Sequence, residues 1–360
     1  MRARRYDRTM TLLSILDQSP IRPDATPAEA LGDTLRLAEA ADRLGYHRYW
    51  LAEHHSSNGL AGSAPEIMVG QIAARTRKIR VGTGGVMLSH YSPLKVAETF
   101  RVLEALYPGR IDLGIGRAPG SDQLTDQALA VGPGALEHQR FPVQVHDLMG
   151  FLGGVLPADH PFARIRAMPA GPTVPELWLL GSSDQSAQIA AYFGCPFSFA
   201  HFISGAEGGP DVMELYRHHY RPSERWPEPR ASIGVFALAA DTVEEADRLM
   251  RSRDLWSLRQ RRGTTAPVPT IAQAEAYPYT EQDLALVRRN RQRCVWGTKE
   301  QVRDGLLALG EAYGVDEFVV LTICPVFEAR LRSYELLAEA FGIGRADGAA
   351  ARATGEAVPG

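Results

Sequence analysis

The feature that most constrains this chain is its alternation of short aliphatic runs with longer segments of helical period, sustained over most of its length. Eight runs can be counted, at 12–16, 48–52, 79–86, 111–115, 177–180, 197–201, 233–239 and 317–322. Their apolar character is continuous, as expected of strands buried on both faces of a parallel sheet. The segments between them open on recognisable caps. Thr26 stands three residues before Glu29, Ser63 before Glu66, Thr242 before Glu245 and Thr298 before Gln301, and Pro27 and Pro65 suit a first helical turn. Ser92-Pro93 opens another helix, whose Val96, Phe100, Leu103 and Leu106 recur every three or four residues until Pro108-Gly109 ends it.

Such regular alternation predicts an α/β chain folded as a single (β/α)8 TIM barrel over residues 11–343, with a flexible leader at 1–10 and a disordered tail at 344–360. A doubly wound sheet is the alternative. Two stretches break the rhythm, 120–175 after the fourth strand and 259–293 after the seventh. Insertions that follow strands lie over the C-terminal face of a barrel, so both are candidate lids; decoration without function is the plainer account.

Composition removes several classes. Hydrophobic residues at 45% and charged residues at 22% suit a globular chain with a large core. The 39 basic and 42 acidic residues, net charge −3, are spread along the sequence and leave no footprint for nucleic acid or an anionic membrane. The apolar run after the basic leader is too short for a signal peptide, and no window reaches the roughly 18 apolar residues of a membrane helix, so a cytoplasmic protein is expected. Cys195, Cys294 and Cys324 are odd in number and widely spaced, which points to buried thiols and not to a disulfide framework or a CxxC metal site.

Chemistry concentrates at four strand ends. The second strand runs into Glu53-His54-His55, and the strand's C-terminal end would deliver these groups to the barrel mouth. His54 there could act as acid, base or hydrogen-bond donor, against the plain reading of a satisfied polar residue. No metal is expected, because a zincin motif needs two histidines one helical turn apart. The third strand contains Gly82-Thr83-Gly84-Gly85, where either a flat ligand approaches the backbone or a bulge sits at a tight corner. After the fourth strand Arg117 stands in a glycine-rich turn, its planar fork suited to a phosphate or simply exposed on the surface. The fifth strand leads through Gly181, Ser182 and Ser183 to a helix start that includes Ser186. Free N–H groups, the dipole and these hydroxyls together suit an anion, and with Arg117 nearby they imply a phosphorylated cofactor.

These motifs, taken in order, resemble the bacterial luciferase-like flavin monooxygenases: Leu16-Asp17-Gln18-Ser19-Pro20, Leu51 to His55, Val81 to Leu88, and Leu179-Leu180-Gly181-Ser182-Ser183-Asp184-Gln185-Ser186. The likeness runs from about Thr11 to Gly342. It implies a barrel that binds FMN, with the flavin ring over a non-prolyl cis peptide at Gly84-Gly85, the phosphate held by Arg117, Ser182, Ser183 and Ser186, and His54, with Glu53 beside it, as the catalytic histidine. It further implies that a separate reductase supplies FMNH2, that O2 adds at the flavin C4a position, and that a small organic substrate is oxygenated, with a homodimer possible. Gly116 stands where bacterial luciferase has a reactive cysteine and Ser182 where it has a glutamate, so the likeness is to the non-luminous subgroup. Two other readings share the barrel: hydride transfer with the deazaflavin F420, and a non-catalytic flavin-binding protein.

Overall fold

The aliphatic runs fold as strands buried on both faces, and the capped segments fold as the helices that cover them. The computed structural model describes residues 11–117, 122–130, 138–205 and 208–344. The expected leader at 1–10 and the tail from residue 345 lie outside the described residues. Among the described residues nine parallel strands form: β1 Leu12–Asp17, β2 Arg48–Leu51, β3 Arg80–Met87, β4 Ile111–Gly116, β5 Glu176–Gly181, β6 Phe197–Ala200, β7 Ala231–Ala240, β8 Cys294–Thr298 and β9 Glu317–Leu321. The sheet runs β6-β5-β4-β3-β2-β1-β9-β7 and closes through β6–β7 pairing, which makes an eight-stranded barrel and excludes the doubly wound alternative.

β8 stands outside the ring. The first half of the ten-residue β7 pairs with β9 from Ile233 to Phe236, and its second half pairs with β8 from Phe236 to Ala240. The sequence reading counted no strand there, because Cys294-Val295-Trp296-Gly297-Thr298 is short, only partly buried and preceded by an arginine-rich helix.

Alternation along each strand sorts the core into two layers. Ile15, Tyr49, Leu177 and Leu179 face the helices, whereas Leu16, Trp50, Trp178, Phe236 and Val319 fill the barrel interior. At the N-terminal end the interior is closed by ion pairs. Arg48, fully buried, donates to Glu317 at 2.6 Å and to Asp112 at 2.8 Å, and lies 3.3 Å from Glu176. Trp50 and Trp178 donate to Asp112 and Glu176 above this plug. Burial works to raise the Glu176 pKa, but Arg48, Arg230 and Arg80 overcome it and hold it at about 2. Below the plug a cavity of about 810 Å³, lined by Leu12, Trp178, Arg230 and Glu317 among others, lies at the N-terminal end, and the plug separates it from the C-terminal mouth.

The caps follow the sequence in part. Thr26 and Thr298 form full reciprocal boxes with Glu29 and Gln301, and Thr242 accepts from the Glu245 amide. The helix Pro65–Arg75 instead starts on Ala64, without a side-chain cap, so Ser63 is one residue too early.

The two insertions are more structured than expected. Within 120–175, the helix Phe141–Gly153 packs on the helix Pro93–Leu106 as an ordinary member of the outer layer, whereas the short helix Gln123–Leu129 has no buried residues. Residues 259–293 form two helices, Ile271–Glu275 and Glu281–Arg291, which share a small apolar cluster with the helix Val243–Arg261. Val268 N donates to Ile21 O beyond β1, and Ala266 crowds Gly59 beyond β2, so this second insertion does lie against the C-terminal face. No described helix is long and apolar enough to cross a membrane.

Candidate active site

The chain leaves β1 and β2 through tight turns, with Ser19 and Ser56 at left-handed φ of 49° and 50°. The turn after β2 is pinned by His54 N donating to Gly62 O at 2.8 Å. This sets Glu53 and His54 to different tasks. Glu53, 1% exposed, accepts from Tyr91 Oη at 2.7 Å and Met87 N at 3.0 Å, and pairs with His55 Nε2 at 2.7 Å. Both its oxygens are engaged, and it does not line the cavity that His54 borders. The His54 Nδ1 atom is buried with no hydrogen-bond partner. Burial first, and the neighbouring His55 second, push the His54 pKa down to about 4, so the imidazole is neutral at pH 7.

His54 borders a cavity of about 400 Å³ at the barrel mouth. Its walls combine Leu60, Phe202, Phe236, Trp256 and Leu321 with Gln18, Gln260 and three arginines. A second, small cavity in the barrel interior is bordered by Gly84, Leu180, Ser198 and the same Phe202.

The Gly84-Gly85 peptide is cis. A Cβ on Gly84 would come within 2.6 Å of Leu16 Cδ1, and one on Gly85 within 2.7 Å of Gly114 O and Leu180 Cδ1. The β3–β4 register also shifts between Gly84 and Val86. Neighbouring strands thus crowd both glycines, and Gly84 also borders the interior cavity.

At the ends of β4 and β5, Arg117 Nη1 donates to Gln185 Oε1 in the first turn of the helix Asp184–Phe193, joining two groups that are 68 residues apart. Ser183 caps that helix by accepting from Ser186 N, and the two hydroxyls lie 3.2 Å apart. Gly181 must lack a side chain because Ser186 Oγ would stand 2.4 Å from its Cβ. Residues 118–121 of the glycine-rich turn, including Pro119 and Gly120, lie outside the described residues.

The short helix His201–Ser204 links the two halves of the mouth. Phe202 and Ile203 line the cavity that His54 borders, while Ser204 Oγ donates to Ser182 O at 3.0 Å. The serine–arginine corner and the His54 cavity are thus within one helical turn of each other. Sequence reasoning did not find Phe202, Trp256, Arg253, Arg261 or Arg293. The first follows an unmarked strand end, and the arginines on the helix Val243–Arg261 and after it read in one dimension as a solvated face. A possible cation group, His146, Asp147 and His160, lies on the outer-layer helix Phe141–Gly153 and the segment after it.

The sequence profile described as luciferase-like monooxygenase matches residues 11–317. The chain is 47% identical over 332 residues to the uncharacterised protein YceB of Bacillus subtilis (strain 168), spanning 92% of this chain and 100% of that one. It is 39% identical over 332 residues to an N-acetyl-S-alkylcysteine monooxygenase of the same organism, spanning 92% and 98%. Among solved structures, apo-MsnO8 matches with a TM-score of 0.84 at 39% identity, over 93% of this chain and 98% of that one. Two more distant structures share the fold alone. One is the oxygenating constituent of 3,6-diketocamphane monooxygenase of Pseudomonas putida in complex with FMN, at TM-score 0.69, 18% identity, and coverage of 92% and 97%. The other is an F420-dependent secondary alcohol dehydrogenase in complex with an F420–acetone adduct, at TM-score 0.67, 15% identity, and coverage of 92% and 99%.

Proposed function

The chain belongs to the luciferase-like monooxygenase family, and from that premise we propose that it is an FMN-dependent monooxygenase that oxygenates a small organic substrate at the barrel mouth. It draws on O2 and on reduced FMN delivered by a separate NAD(P)H:flavin reductase, and a homodimer belongs to the same reading. The observation that carries it is the junction at Phe202 to Ser204, which joins an anion-suited corner to a cavity bordered by an unpartnered imidazole.

The donor set fits a flavin. Arg117 and the first turn of the helix Asp184–Phe193, with Ser182, Ser183 and Ser186, would hold the phosphate, and Gly181 keeps that corner open. Gly84 and Gly85 would face the ring. Reduced flavin, when bound, supplies the electrons for oxygen activation.

The remaining roles belong to the chain itself. His54, neutral at pH 7, accepts or donates a proton through a ring nitrogen and is not a cationic acid. Glu53 is a positioning residue, because it fixes His55, Tyr91 and the Met87 amide around the turn that presents His54. Leu60, Phe202, Phe236 and Leu321 give the cavity that His54 borders an apolar side for the substrate body.

The test is substrate-dependent oxygen uptake with reduced FMN. N-acetyl-S-alkylcysteines are the first compounds to try, because a 39%-identical relative carries that activity in its name. Uptake coupled to product is expected. Substrate reduction by reduced F420 under anaerobic conditions, without uptake, would replace this reading with hydride transfer, and FMN binding without turnover would leave a non-catalytic flavin carrier. His54→Ala should abolish coupled product while FMN affinity is retained, and unchanged turnover rejects its role.

A further inference from the structure

The charge of the mouth cavity departs from that of the chain. Arg253, Arg261 and Arg293 line it and no carboxylate does, although the whole chain has a net charge of −3. Three other guanidinium groups inside the fold are matched by carboxylates, Arg48 by Glu317 and Asp112, Arg330 by Asp17, and Arg291 by Asp247 and Asp254, whereas the buried Arg101 bonds only the carbonyls of Leu152 and Pro169. Of the mouth arginines only Arg253 has a carboxylate near it, the shared Asp254. Among the described residues no carboxylate lies within 4 Å of Arg261 or Arg293, and Arg293 spends one donor on the Ile203 carbonyl at 2.6 Å. Arg253 Nη1 is buried without a hydrogen bond, 3.6 Å from an Asp254 whose other oxygen is taken by Arg291 at 2.6 Å.

Burial, and then the neighbouring Arg261, Arg289 and Arg253, hold the Arg293 pKa below the ordinary arginine value. Like charges gathered around one cavity with no carboxylate in its lining are suited to an anionic ligand. The rest of the lining includes Leu60, Phe202, Phe236, Trp256 and Leu321, which are apolar and suit the body of such a ligand. The wall stands three strands round the barrel from Arg117, at β7 and β8 and not at β4 and β5.

We propose that this wall is a carboxylate-recognition subsite, so that the substrate presented to His54 is an organic acid with an apolar body, its carboxylate held by Arg261, Arg293 and Arg253. Guanidinium forks match carboxylates in geometry as well as charge. The substrate assignment rests on the reading of this mouth as the oxygenation site; the anion site itself does not.

The experiment measures binding to the full chain without cofactor, by calorimetry and by tryptophan fluorescence, since Trp256 is in the lining. The probes are 4-phenylbutyrate, octanoate and N-acetyl-S-benzylcysteine, each against its neutral primary amide. At least one acid should bind tenfold or more tighter than its amide, with the preference weakening as salt rises. Arg261→Ala changes an exposed, unpaired side chain and Arg293→Gln a half-buried one. In these variants, confirmed as folded by thermal melting, the preference should vanish while FMN affinity is unchanged.

Absence of any acid-over-amide preference across the three pairs overturns the proposal, as does a preference that survives both substitutions. Loss of FMN affinity in the same variants also overturns it, because the wall would then be the cofactor's phosphate seat. An acid preference in a chain that binds no flavin would refute the monooxygenase reading and leave the anion site standing.

Discussion

If His54 is held neutral by its surroundings, acidification must cost the folded chain more with this imidazole than without it. Its pKa falls from the ordinary 6.5 to about 4 because burial disfavours the charged ring and His55 stands beside it. Between those values the unfolded chain binds a proton that the folded chain refuses, so stability rises with pH across this window. Read downward, nothing is lost above pH 6.5, loss begins as the unfolded histidine titrates, and it levels off below about 4. At pH 4 the contribution reaches about 3 kcal/mol. His201, also pushed to about 4 by burial and then by Arg293, adds a loss of the same sign. The clean quantity is therefore the difference between wild type and His54→Gln, followed by urea denaturation in steps from pH 7.5 to 4. The two curves should agree at pH 7 in slope and diverge by about 3 kcal/mol at pH 4, the variant losing less. The C2 proton of His54 should titrate near 4 by NMR. Parallel curves, or an imidazole that titrates near 6.5, would refute the argument that burial keeps His54 uncharged, and with it the assignment of a neutral donor or base.

Three further outcomes follow from particular contacts. Arg117→Ala should weaken FMN binding ten- to a hundredfold by equilibrium fluorescence quenching while thermal stability barely moves, since the residue's described partner is only the exposed Gln185. Gly85→Ala should destabilise by about 1–3 kcal/mol in denaturant titration, because its Cβ meets Gly114 O and Leu180 at 2.7 Å, whereas Gly116→Ala, with Met87 at 3.9 Å, should be tolerated. Burial pushes the Cys195 and Cys324 thiols to about 12, so Ellman's reagent should label neither in the native protein and both on unfolding.

Much of the barrel is legible in one dimension because its determinants are local. A strand buried on both faces has to be continuously apolar, and a helix needs donors such as Thr26 or Thr298 where its first amides lack partners. What failed was what depends on a neighbour. β8 is a strand only because the far half of β7 offers it an edge, and Ser63 fails as a cap because the chain path starts the helix one residue later. The glycines at 84 and 85 are visible in sequence, but that Leu16, Gly114 and Leu180 crowd them is not.

The site divides the same way. From sequence it could be read that His54, Arg117 and the serines of the β5 turn share one end of the barrel, because each follows a parallel strand and parallel strands share a direction, with Gly84 and Gly85 in the C-terminal half of β3. Only the tertiary structure decided that Glu53 is consumed by Tyr91, His55 and Met87, and that Ser204 ties the serine corner to the cavity of Phe202. It also brought Arg253, Arg261 and Arg293 to the cavity that His54 borders. The reason is physical: pattern fixes which way a side chain leaves its own element, but burial, partners and charge at a point in space are set by residues that arrive from elsewhere in the chain.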